Sequence, residues 1–180
     1  MRNTVRKSLG LIAAVVLVLS LPALAGAQNP NFAGNWALNQ AESNLGTPPV
    51  GGGGGGRGGM MGGPAATMSI KHDATKLTIT TTMTGRDGNP VERVTEYTTD
   101  GKPVTTESQR GGPTTTTATW TSGKLVVVTK SSFAMGGGEP VERITTITYS
   151  LAGGKLVMET VRPGMQGGAA MTTKAVYDKK

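Results

Sequence analysis

The chain has no cysteine and only one histidine, His72, among its 180 residues. Lack of cysteine excludes a disulfide framework, a thiolate nucleophile and a thiolate-ligated metal. A lone histidine excludes a multi-histidine metal site within one chain. Aromatic residues make up 4% and charged residues 16%. The carboxylates are few and scattered, so no paired acid and base for glycoside-type chemistry stands out. Good helix formers give way to 27 threonines and 28 glycines. Threonine is stiff at its β-carbon and suits a pleated surface, so a helical bundle is excluded in favour of strands.

The only long apolar run lies at the N-terminus. Arg2, Arg6 and Lys7 precede apolar residues 9–21, which are followed by Pro22, Ala23, Leu24, Ala25, Gly26, Ala27 and Gln28. A basic start, an apolar run shorter than the roughly 20 residues of a membrane span, and small residues at Ala25 and Ala27 match an export signal cleaved before Gln28. This predicts a signal peptide at 1–27, a single domain at 28–180, and a periplasmic or secreted protein with no transmembrane segment after cleavage. Removing Arg2, Arg6 and Lys7 from 18 basic residues leaves 15 against 11 acidic ones, so the net charge falls from +7 to +4. The remaining basic residues form no stripe and alternate with no aromatics, which argues against nucleic acid as a partner.

The rest alternates between strand-like runs and turn signals. Residues 31–39 read as a first strand, with Phe32, Gly34, Trp36 and Leu38 on one face. Residues 44–65 hold a proline pair and a glycine run, and read as a flexible loop. Beyond it, strands are expected at 66–73, 76–84, 91–99, 102–109, 114–122, 124–133, 140–151, 155–162 and 171–179. Asp-Gly, Ser-Gly and Gly-Gly pairs fall between several of them, as tight hairpins require. Pro90-Val91-Glu92-Arg93 recurs as Pro140-Val141-Glu142-Arg143, each followed by a tyrosine and a Gly-Lys pair. The internal repeat spans about 67–109 and 115–162, a period of roughly 50 residues. The expected architecture is all-β: an antiparallel up-and-down meander of about ten strands, closed as a barrel so that no long sheet edge is left open.

Asn31-Phe-Ala-Gly-Asn-Trp-Ala-Leu-Asn39 resembles the opening of small exported bacterial lipocalin-like (calycin-type) β-barrel proteins, which begin F-x-G-x-W-x-L-N. Ala175-Val-Tyr-Asp-Lys-Lys180 looks like their closing strand. The resemblance implies a Gly-x-Trp on the first strand, with the tryptophan plugging one barrel end. It also implies a small-ligand carrier or a protein of unassigned role, not an enzyme.

Two parities are open for the strands that carry the repeat. If Arg93, Tyr97, Arg143 and Tyr149 face inward, two guanidinium groups and two phenols enter the lumen and would seek an anionic partner. If Val94 and Ile144 mark the inner face, both arginines are solvated partners of glutamates. Trp36 and Trp120 are candidates for barrel-end packing or for stacking on a ligand. Leu77, Ile79, Met83, Val127 and Ile147 are the expected apolar lining. His72 beside Asp73 has the makings of a base with an orienting carboxylate, but no motif marks a nucleophile. The Gly-Met segments around Met60, Met61, Met135 and Met165 offer soft thioethers of the type that bind Cu(I), or are incidental low-complexity loops. The expectation is a carrier of a small apolar or amphipathic molecule, without cofactor or resident metal. Its rival is a structural module with a filled core that meets an envelope surface or a protein partner.

Overall fold

A computed structural model describes residues 29–46, 64–84, 88–108, 111–133, 141–164 and 168–180. The predicted signal peptide, most of the predicted 44–65 loop, and Met60, Met61, Met135 and Met165 lie outside them. Ten strands follow in order: β1 Gly34–Leu38, β2 Thr67–His72, β3 Lys76–Thr84, β4 Pro90–Thr98 and β5 Val104–Ser108, then β6 Gly111–Thr121, β7 Lys124–Phe133, β8 Val141–Ala152, β9 Lys155–Arg162 and β10 Met171–Lys179. All fall where alternation and turn chemistry place them.

They form one antiparallel sheet in the order β4-β3-β2-β1-β10-β9-β8-β7-β6-β5. Each neighbour is the next strand in the chain, apart from the β1–β10 pair that joins the two ends. The sheet curls so that β4 lies against β6, while β4 and β5 remain its two unpaired edges. Pro90 opens β4 and Pro103 precedes β5. Proline lacks a ladder donor and is tolerated at such edges. Two hairpins turn in two residues: Ser122-Gly123, with φ of 49° and 73°, and Gly153-Gly154, with 58° and 77°. Two successive positive φ values match the right-handed twist of the flanking strands.

β1 is shorter than the alternation suggests. Asn31 to Ala33 leave the ladder, and Phe32 turns into the end of the barrel, where it is completely buried. Around it sits a core of Trp36, Met68, Ile70, Leu77, Ile79, Ala118, Leu125, Val127, Tyr149, Leu156, Ala175 and Tyr177. Burying each large side chain is worth roughly 1.5–3 kcal/mol. After β1, the chain stays beside β10: Asn39 N–H donates to the Val176 carbonyl and Asn44 bridges Lys174. Glu42 reaches over β10 to Lys155 on β9. On the outer face of these two strands Val157 and Val176 are buried.

Candidate functional site

The register decides which face looks inward. Leu77 pairs with Tyr97 and Ile79 with Thr95 across β3 and β4; Leu125 pairs with Tyr149 and Val127 with Ile147 across β7 and β8. Because side chains alternate along a strand, Val91, Arg93, Thr95 and Tyr97 share the face of the buried Leu77 and Ile79. Val141, Arg143, Thr145, Ile147 and Tyr149 share that of Leu125 and Val127. Val94 and Ile144 point outward, 57% and 42% exposed. The parity in which they mark the inner face is thereby excluded.

The two halves of this inner face differ. At one end it is filled. Phe32 lies 5.5 Å from His72, 5.5 Å from Trp120 and 6.3 Å from Tyr149, centroid to centroid. Having left the ladder, Phe32 finds side-chain partners for both its backbone groups. Its N–H donates to His72 Nδ1 at 3.0 Å, and its carbonyl accepts from Trp36 Nε1 at 2.9 Å. Trp36 is 1% exposed, with Lys179 Nζ 5.7 Å from its ring centroid. Gly34 sits at φ +142°, a conformation that side chains rarely adopt, and a Cβ there would meet Lys179 Cε at 2.8 Å. The Gly34-x-Trp36 spacing is thus built into the barrel end. Burial lowers the pKa of His72 from its ordinary 6.5, and the neighbouring Asp73 only partly offsets this.

Towards the other end, side chains on the same inner face stand in water. Val141 is 56% exposed, Val91 49% and Met171 48%. Arg93 and Arg143 are exposed on this face, opposite Thr81 and Ser131, and Arg162 is half-buried opposite Met171. A belt of Thr95, Thr116, Thr129, Thr145 and Thr173 separates this region from the apolar floor. The floor holds all three tyrosines of the chain. Tyr97 and Tyr149 stand 6.4 Å apart by ring centroid and share a hydroxyl hydrogen bond. Burial raises the pKa of both, far more for Tyr149, which also feels Tyr97 and Tyr177. Burial also raises that of Tyr177, whose hydroxyl has no hydrogen-bond partner among the described residues.

The structure therefore brings Tyr97 and Tyr149 together and places Arg93 and Arg143 higher on the same face. It sets Trp36 and Trp120 apart, at the filled end. Trp36 is enclosed and offers no surface to a ligand, whereas Trp120 is half-buried. Of the expected lining, Leu77, Ile79 and Val127 are buried in the floor and Ile147 is half-buried. Met83 pairs with Val91. Tyr177 and Arg162 were missed by sequence reasoning; inward alternation in the closing strands was the available signal. Among the described residues, no cluster of three or more His, Asp or Glu offers a metal site. Among them, too, no helix is long and apolar enough to cross a membrane.

No protein-family model matches the chain, and no curated protein sequence does. Solved structures similar in shape include the REP1-NXSQ fatty acid transporter, 16% identical, covering 82% of this chain and 95% of its own, with a TM-score of 0.49. The wild-type fluorescent protein UnaG is 16% identical over 83% of this chain and 97% of its own, with a TM-score of 0.47. The zebrafish ileal bile acid-binding protein, solved with cholic acid, is 18% identical over 83% and 98%, with a TM-score of 0.46.

Proposed function

We propose that the protein carries a small amphipathic anion in the unfilled half of its barrel. One observation carries the reading: Val91, Val141 and Met171 face inward by register yet remain 48–56% exposed, while the other half of the same face is solidly packed. An apolar ligand part laid against Ile147, Tyr97 and these side chains removes their surface from water. An anionic group at the level of Arg93, Arg143 and Arg162 gains charge-assisted hydrogen bonds. With residues 1–27 read as a cleaved export signal, the carrier works in the periplasm or outside the cell. The chemistry is binding rather than catalysis.

Titration of the purified protein with the fluorescent anion 1-anilinonaphthalene-8-sulfonate, followed by displacement with oleate, tests this. The expected result is saturable, one-to-one binding. Arg143→Ala weakens it roughly tenfold, the worth of one charged hydrogen bond, and Val141→Asp abolishes it. Both substitutions fall at exposed positions, so folding is retained. Unsaturable binding, or binding indifferent to both substitutions, would leave the filled-core structural module as the better account.

A further inference from the structure

A second concavity lies at the opposite, filled end of the barrel, outside the Phe32 plug. Asn29, Asn31, His72, Asp73, Ala74 and Trp120 line a half-open pocket of about 300 Å³. This is at the lower end of the size range for small-molecule sites. Its aromatic part is the His72–Trp120 pair, with rings 5.7 Å apart and 18° from parallel. The rest of the wall is made of short side chains, all polar but Ala74.

Internal hydrogen bonds define what that wall still offers. Asn31 Oδ1 accepts from Ala33 N–H, so its amide protons remain as donors. His72 Nδ1 accepts from Phe32 N–H, which puts the ring proton on Nε2 as a further donor. Asn29 adds both donor and acceptor capacity, and Asp73 adds a carboxylate. The Asp73 side chain is not needed by its own turn, which is closed by its backbone N–H donating to the Lys76 carbonyl.

This chemistry selects among ligand classes. A hydrocarbon chain would strand the amides and the carboxylate without partners. A phosphate would face the Asp73 charge. An organic cation would leave the amide and imidazole donors unused. A neutral ring with adjacent hydroxyls uses all of them: its C–H face lies against the aromatic pair, and its hydroxyls donate to Asp73 and accept from Asn29, Asn31 and His72. We propose that this pocket is a saccharide site that takes one hexose-sized ring. It is separate from the lumen and does not depend on the carrier reading.

The test is nuclear magnetic resonance of ¹⁵N-labelled protein titrated with D-glucose, D-galactose and N-acetyl-D-glucosamine. At least one sugar should give saturable shifts confined to the side-chain amides of Asn29 and Asn31 and the indole N–H of Trp120. The expected Kd is on the order of 1–10 mM for so small a contact. Asp73→Ala and Asn29→Ala should each weaken binding about tenfold at unchanged melting temperature. Saturating sugar should leave anilinonaphthalene sulfonate binding in the lumen unaltered. The proposal is overturned if no sugar shifts these signals, if both variants bind as the parent does, or if adenosine or choline saturates the pocket where sugars do not.

Discussion

Phe32 shows how much a single residue organises. Leaving the ladder deprives it of sheet partners, so His72 and Trp36 take its N–H and its carbonyl. Nδ1 of His72 can accept only while unprotonated. Burial makes His72 harder to protonate in the folded protein than in the unfolded chain, so acid favours the unfolded chain. The contribution is complete above the ordinary value of 6.5 and is lost as pH falls through the lowered folded value. The melting temperature should therefore drop as pH falls below the ordinary value of 6.5, and His72→Gln should flatten that slope; an unchanged slope would contradict the assignment. Glu96, Asp100 and Asp178 are held below their usual carboxylate range by hydrogen bonds involving Lys76, Lys102 and Lys155 respectively, so their losses come only in stronger acid. Gly34→Ala should cost about 1–3 kcal/mol in urea unfolding, because its φ of +142° strains any side chain. The resemblance carried by Gly34-Asn35-Trp36 implied a tryptophan plugging one barrel end, and the structure buries Trp36 in the core. The role of His72 was not legible in the sequence: its partner lies 40 residues away in the chain, and pairing across that distance leaves no local pattern.

At the scale of the element, alternation and turn pairs were enough to locate all ten strands. They left open which face of β4 and β8 is inner, because threonine suits either side of a sheet and the Val-Glu-Arg-Val stretch has apolar residues at both parities. Register against the plainly buried Leu77 and Leu125 supplies the answer. Residues 44–46 were read as the start of the 44–65 loop, yet Asn44 pairs with Lys174 of β10, and Asn39 and Ser43 before it are tied to the same strand. Ser43 does much of the tying: its Oγ donates to the Asn39 carbonyl at 2.6 Å and accepts from Val176 N–H at 2.9 Å. Ser43→Ala leaves that buried N–H unpaired and should cost about 1–3 kcal/mol. Amide exchange at Val176 should speed up in the variant; protection equal to the parent would show that Ser43 is dispensable.

At the scale of the whole molecule, the barrel is packed at one end and wetted at the other. Packing at the filled end supplies the core, which frees the other half from a structural duty. Apolar side chains facing inward and exposed there are costly to leave in water, and in the proposed carrier the arginines on the same face would favour an anionic ligand. The sequence carried both arginines and both repeat tyrosines. It did not show that the tyrosines sit at the floor and the arginines nearer the far end, since depth along a barrel depends on register between strands distant in the chain. The most direct test is native mass spectrometry of the protein purified without denaturation, paired with organic extraction of the same sample. The account predicts a stoichiometric extra mass that passes into the solvent, is acidic, and is retained less by Arg143→Ala. A bare protein mass that takes up nothing from an added extract of cell-envelope lipids would contradict it.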